Sequence, residues 1–330
     1  MAKSTRTMKE VAEHLGLSRT TVSLVLQGRG DEYRISRETQ QMVLDYVKKT
    51  SYKPNYFAKA LNRGRSDIIG AVFPDVFESF MNNIIRGIES VLYERGYSLM
   101  ISTSRFDNKR ECSVIEKMVW QGVDGIILIP TMPFHGAAPY DGSHIEGLLR
   151  QGYPFVVVDR TIEGLETHTV LQNDRKAARN AVSKAIRQGA RNVCCVSLAL
   201  AASSIDARLA GYREAVRAAR MAETIISLFS LNPESDDLEK QTVEVMRSAS
   251  PVDTFFVTTS GLADKLSWIL RTHHFDARII RFGETPRWVE ASMEDIPHPH
   301  KKMGEAASKL LLDVIRQPDL PSQHIVCEAG

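Results

Sequence analysis

The residues whose types and spacing could do chemistry cluster near the start of the chain. Ser18, Arg19, Thr20, Thr21, Ser23 and Gln27 stand within ten positions, with Leu24 among them. Small hydroxyls, an amide and a guanidinium donate and accept hydrogen bonds, which suits recognition better than bond cleavage. The histidines offer a second possibility. Neither His273-His274 nor His298-Pro299-His300 has a Cys or carboxylate partner at zinc-site spacing, so a metal role is not expected for either. Cys112, Cys194, Cys195 and Cys327 show no CxxC spacing. The adjacent pair falls in an expected strand, where the two side chains point to opposite faces, and reduced, buried thiols are the reading. No GxSxG, HExxH, P-loop or GxGxxG occurs. No catalysis, metal or cofactor is expected.

Those polar groups need elements to hold them. Met8, Val11, Ala12 and Leu15 fall at i, i+3, i+4 and i+7, one apolar stripe on a short helix. Gly16 supplies the left-handed residue that ends it, and Ser18 can cap a second helix. There Val22, Val25 and Leu26 form the buried side, while Thr20, Ser23, Leu24 and Gln27 turn outward with Arg19 at the leading end. This is a helix-turn-helix, with an ordinary αα-hairpin as the alternative. A third helix, capped by Ser36 with Ile35 as its staple, brings Val43, Tyr46 and Val47 to a small core. Pro54 then breaks the third helix. Asn55 can cap a short helix carrying Ala58, Ala60 and Leu61, in a stretch rich in Lys59, Arg63 and Arg65. Such a helix is marginal alone and would fold against a partner; a solvated linker is the alternative.

Charge follows the same division. Residues 1–65 carry 13 Lys and Arg against 6 Asp and Glu, and the remainder 29 against 34. A basic head on a mildly acidic body places any polyanion at the head. At 330 residues with 43% hydrophobic content, the chain can build two or three real cores. The N-terminus lacks an apolar signal region and no run is long enough to span a membrane, so a cytoplasmic protein is expected. From Asp67, DIIGAVF, YSLMIST, DGIILIP and PFVVVD read as buried parallel strands, with helical patterns such as 80–95 and 109–121 between them. NVCCVS, TIISLF, DTFFVT and RIIRF form a second series, with helices near 174–188, 205–220, 235–248 and 261–272. Two βα series make two doubly wound halves facing one another. Ligands sit beyond the carboxyl ends of such strands, which points to the cleft between the halves.

The run MKEVAEHLGLSRTTVSLVL…ISRETQQMVLDYVKKTSYKPNYFAKALNRGRSDIIGAVFPD closely resembles the LacI/GalR family of bacterial transcriptional regulators. The likeness takes in the headpiece, the following helix, the Y-x-P-N…A-x-x-L hinge and the first body strand, and continues more weakly almost to the C-terminus. It implies an all-α helix-turn-helix headpiece (1–54), a hinge helix (55–66) and an α/β periplasmic-binding-protein-like body (67–330). The body's two doubly wound parallel-sheet subdomains would comprise about 67–161 with 298–330, and 162–297, with crossovers near 161 and 297, the second giving His298-Pro299-His300 a structural role, and a further helix over 303–316. The resemblance implies a homodimer on a pseudo-palindromic DNA operator, read as a repressor. Arg19, Thr20 and Ser23 would meet base edges, Ser18, Thr21 and Asn55 phosphates, and Leu61 would wedge a central base step, with Lys59 beside it in the hinge.

Several positions depart from the family pattern. Leu24 stands where Arg is frequent; an outward Leu suits a thymine methyl or another apolar base edge. In the cleft, matched positions make Phe80, Met81, Asp159, Asp206, Thr259 and Gly283 the effector-binding candidates. Asp206 replaces the Arg that chelates sugar hydroxyls, while Arg208 matches a more structural Arg. Thr259-Ser260 replaces Asn-Asp, and Arg281-Phe282-Gly283-Glu284 replaces G-F-D-D. Losing these groups together argues against a simple hexose. Either the ligand differs in charge and shape, or the cleft works without one. The rival classes are a solute-binding protein with the same body, which the basic head contradicts, and a sheet-based dehydrogenase, which lacks its fingerprint. No leucine-heptad tail is present, so a tetramer made through one is not expected.

Overall fold

The structure, a computed structural model, describes residues 7–50, 52, 64–75, 79–229, 237–283 and 293–328. The chain divides into two units, Met1–Ser66 and Asp67–Gly330.

In the first unit, α1 (Met8–Leu15) opens with a capping box. Thr7 Oγ1 accepts from the Glu10 amide at 3.3 Å, and Glu10 Oε2 accepts from the Thr7 amide at 2.7 Å. Gly16 closes the helix at φ 65°, and the Leu17 amide turns back to Ala12 O. The sharp turn starts α2 (Arg19–Leu26) two residues later. α3 (Arg37–Thr50) is capped by Ser36, whose Oγ accepts from the Thr39 amide. Val11, Ala12, Val22, Val25 and Val43 are buried together, with Ile35, Tyr46 and Val47 packed around them.

The second unit has two lobes. One six-stranded parallel sheet runs in the order β11-β5-β4-β3-β1-β2, built from β1 (Ile68–Phe73), β2 (Ser98–Thr103), β3 (Gly125–Leu128), β4 (Phe155–Val158), β5 (His168–Gln172) and β11 (His324–Cys327). α4 (Ser79–Glu94) and α11 (His300–Arg316) cover one face, and α5 (Asn108–Trp120) and α6 (Ser143–Arg150) the other. Alternation along the strands fills both: Ile69, Ala71 and Phe73 meet Ile84, Met303 and Leu311, while Val72 and Ile126 meet Ile115 and Ile145. The other sheet runs β10-β9-β8-β6-β7, from β6 (Val193–Leu198), β7 (Thr224–Leu228), β8 (Thr254–Val257), β9 (Arg278–Phe282) and β10 (Met293–Ile296). Its helices are α7 (Asp174–Arg187), α8 (Ser203–Ala218), α9 (Asp237–Met246) and α10 (Ser260–Thr272). Cys194 and Cys195 are free, buried, and belong to the cores on opposite faces of this sheet.

One boundary is corrected. The sequence placed the first crossover near 161, but β5 pairs with β4 and β11 in the first sheet, so the chain leaves that lobe only at Asn173. HTVLQ has a short, mixed pattern and a partner strand some 155 positions away, so nothing local marks it. The return crossing after Ile296 leads into α11, which begins at His300, three residues before the expected start. Where the two crossings meet, His298 Nδ1 is hydrogen-bonded to Gln172 Oε1 and its ring stacks on His300 at 4.0 Å. The lobes are further tied by backbone bonds from Ala201 N to Pro133 O (2.8 Å) and from His135 N to Ala199 O (2.7 Å).

The α4–α11 contact is close enough to require glycine. A Cβ on Gly304 would lie 2.1 Å from Ile84 O, and one on Gly87 2.1 Å from Lys301 O. Gly304→Ala is therefore expected to destabilise the body by about 1–3 kcal/mol through overpacking. Gly147→Ala in α6, where an added Cβ meets nothing within 4 Å, should be neutral or stabilising by up to ~1 kcal/mol. All three Trp lie beyond residue 66, so their fluorescence in a urea titration reports the body. The histidine pair gives a pH signature. Burial holds His298 well below the usual imidazole value and pushes His300 down to about 4. Below the unfolded value of about 6.5, the unfolded chain gains protons that the folded chain refuses, so the pair's contribution falls as pH drops toward 4. The stability difference between wild type and the His298→Asn/His300→Asn variant should shrink over that window, by up to ~1.4 kcal/mol per pH unit per histidine.

Candidate functional site

The head presents one exposed polar edge. Ser18 caps α2, its Oγ accepting from the Thr21 amide at 3.0 Å and pairing with Thr21 Oγ1 at 2.8 Å. The cap fixes the first turn, so Arg19 and Thr20 project from a defined helix start, both exposed. One turn on, Ser23 and Leu24 are half-buried, and Gln27 Nε2 donates to Ser23 Oγ at 3.0 Å. Leu24 thus faces outward less completely than its helical position alone suggests. An accessible helix with hydroxyl, amide and guanidinium groups in register can enter a major groove, where bases present matching donors and acceptors. Asn55, Lys59 and Leu61 lie outside the described residues.

The second site is a cavity of about 60 Å³ between the lobes. Every lining segment follows the carboxyl end of a strand: Phe80 and Met81 after β1, Phe106 after β2, Asp159 and Arg160 after β4, and Leu198 and Leu200 at the end of β6. Thr259 and Ser260 follow β8, Phe282 and Gly283 end β9, and His298 and His300 follow β10. Ser204, Ile205 and Arg208 come from the start of α8. The volume is well under the ~300–1,000 Å³ of small-molecule pockets, so a sugar-sized ligand enters only as the lobes part or side chains move.

Polar groups around the cavity are tightly held. Asp159, only 5% exposed, adopts φ 70°, a left-handed conformation that costs a non-glycine residue about 1–2 kcal/mol. Its Oδ2 accepts from Arg160 Nε (3.2 Å) and Ser204 Oγ (3.3 Å), which joins the two lobes through one carboxylate. Arg160 Nη1 donates to Pro130 O at 2.8 Å. Arg208 Nε donates to Asp174 Oδ1 and Nη1 to Thr258 O, both at 2.7 Å, and its guanidinium lies 4.1 Å over the Phe282 ring. Burial pushes the Asp174 carboxyl up, against the opposing pull of Arg208. Gly283 at φ 146° passes so close to α10 that an added Cβ would meet Ser260 Cβ at 3.0 Å.

Five expected effector positions, Phe80, Met81, Asp159, Thr259 and Gly283, share this lining. Asp206 does not. Its side chain is 56% exposed and pairs with His135 of the other lobe at 3.5 Å. It lies two residues before Arg208 on α8, and a 200° rotation carries the two side chains to opposite sides of the helix. His298 and His300, expected to be structural, border the cavity as well as the crossing. Arg160, Phe106, Ser204 and Phe282 were missed, although Arg160 and Phe282 stand where a strand ends and a loop begins, which is the signal that could have found them.

Comparison with known proteins agrees with this architecture. The model of the periplasmic binding protein domain matches residues 69–314, and that of bacterial regulatory proteins, lacI family, matches residues 7–55. The chain is 25% identical over 328 residues to the probable HTH-type transcriptional regulator EndR of Paenibacillus polymyxa, covering 97% of this chain and 93% of that one. It is 24% identical over 325 residues to the ribose operon repressor of Halalkalibacterium halodurans, covering 95% and 92%. The Cra transcriptional dual regulator of Pseudomonas putida, solved with fructose 1-phosphate, has the same fold, with a TM-score of 0.70 at 17% identity over 80% of this chain and 97% of that one. These relatives are transcriptional regulators, and among the described residues no helix is long and apolar enough to cross a membrane. A capped helix-turn-helix carried on a two-lobed body, each matched by its own family model, places the chain in the lacI family of bacterial regulatory proteins, as a DNA-binding transcriptional regulator.

Proposed function

We propose that this regulator is a cytoplasmic homodimeric repressor that reads a pseudo-palindromic operator and answers to a small molecule held between its lobes. The observation that carries the reading is the exposed, capped start of α2, joined in one chain to a body with an interlobe cavity lined from the carboxyl ends of both sheets. In this reading Arg19, Thr20, Ser23 and Leu24 meet base edges, and Ser18 and Thr21 meet phosphate. Asn55, Lys59 and Leu61 act in the hinge, with Leu61 as the minor-groove wedge. Phe80, Met81, Asp159, Thr259 and Gly283 contact the effector. Because the cavity is smaller than such a ligand, occupancy changes the angle between the lobes, and the ligand biases DNA binding through its different affinities for the two states. The ribose operon repressor among the relatives and the sugar-phosphate complex of the Cra protein support this control.

Selection of random duplexes by the full chain, against bulk genomic competitor, tests the proposal; failure to enrich any sequence would sink it. Two outcomes are expected. Leu24→Arg should shift the enriched half-site toward guanine at one position, worth about 1–3 kcal/mol of discrimination. An unchanged preference would remove Leu24 from base recognition. Affinity should also drop roughly 10³–10⁵-fold between about 50 and 200 mM salt, as expected for six to ten phosphate contacts. A flat response would place the basic head away from the backbone.

A further inference from the structure

The charges around the cavity are unevenly committed. Asp159 is occupied by Arg160 and Ser204, Asp174 by Arg208, and Asp206 lies outside. No uncommitted carboxylate borders the cavity among the described residues, so vicinal hydroxyls of a neutral sugar find few strong acceptors. Donors are in the opposite condition. Arg160 and Arg208 each use Nε and Nη1, and neither Nη2 has a hydrogen-bond partner among the described residues. His300 is only 3% exposed, borders the cavity, and leaves Nδ1 without a partner. Burial keeps its imidazole neutral at pH 7, with one N–H to donate.

Backbone geometry adds to this. α4, α8, α10 and α11 all begin at the cavity, through Phe80, Ser204, Ser260 and His300. The N-cap residues of α8, α10 and α11 (Ala202, Thr259 and Pro299) provide no side-chain cap. Converging helix N-termini create a positive potential that favours an anion. The two guanidiniums and their two carboxylates cancel, so the cavity accommodates one added negative charge more readily than two. Phe80, Phe106 and Phe282 provide apolar walls beside it.

We infer that the cleft takes a compact organic monocarboxylate, its anionic end at Arg160, Arg208 and His300 and its apolar body against Phe80, Phe106 and Phe282. The inference rests on the reading that this cleft holds the effector.

Matched pairs of equal shape test the charge. The full-length protein is titrated by calorimetry and thermal melting with two such pairs, benzoate and benzamide and hexanoate and hexanamide, and with gluconate, glucose and inorganic phosphate as polar comparisons. At least one of the apolar carboxylates should raise the melting midpoint by several degrees and bind at least ~10-fold tighter than its amide. Arg160→Gln should abolish that preference; because this variant could misfold, the paired comparison on the wild type decides. Equal response to acid and amide, a response to glucose or phosphate alone, or no response to any carboxylate overturns the inference. A separate arm uses the sub-kilodalton fraction of a bacterial extract, split on an anion exchanger, to release a selected duplex. Releasing activity in the retained fraction supports the anionic class. Activity only in the flow-through overturns the class but keeps effector control, and no release from either fraction removes effector control as well.

Discussion

A parallel sheet has to be covered on both faces, because the crossover helices that connect its strands pack against it and its strands are apolar on both sides. In this body that constraint shapes the cleft as well as the cores. β1, β2, β3, β5, β6, β7, β8 and β10 each hand the chain to a helix at the carboxyl end, so helix N-termini collect along that edge. Two such sheets facing one another bring both edges to a single seam, where Phe80, Ser204, Ser260 and His300 meet. The positive potential of the cleft is thus a consequence of topology before any charged side chain is counted.

The same seam holds one left-handed carboxylate residue and several buried polar groups. Asp159 holds a left-handed backbone because Arg160 on its own lobe and Ser204 on the other fix its carboxylate. The Gln172–His298 bond joins the two crossing segments. Opening the cleft would change the surroundings of these groups, while leaving intact the backbone packing of α4 on α11, where glycines admit no substitute. Rigid lobes and a polar, strained joint between them form the division of labour that a hinge requires.

In the head the scale differs but the logic holds. A core of five small aliphatic residues and Tyr52 cannot stabilise three helices by burial alone, so the caps at Thr7, Ser18 and Ser36 and the left-handed Gly16 carry a larger share. Capping also orders the first turn of α2, where Arg19 and Thr20 are exposed. In the proposed reading, stability and recognition depend on the same hydroxyl at Ser18.

The sequence by itself determined what is local. The 3.6-residue periodicity of α1 and α2, Gly16, the Ser18 cap and the apolar strand runs depend on neighbours within one or two turns, so their residue types state them directly. It also located the cleft, because a strand's carboxyl end is marked where its apolar run stops. Tertiary structure alone decided what is distant. β5 belongs to the first sheet because β11, from the far end of the chain, pairs with it. Spacing puts Asp206 and Arg208 on opposite sides of α8, but which of them meets the cavity depends on how the helix is rotated, with Arg208 over the Phe282 ring and Asp206 against His135. His298 and His300 become neutral, buried neighbours of the cavity only once both crossings are folded against one another, since burial and not residue type sets their protonation.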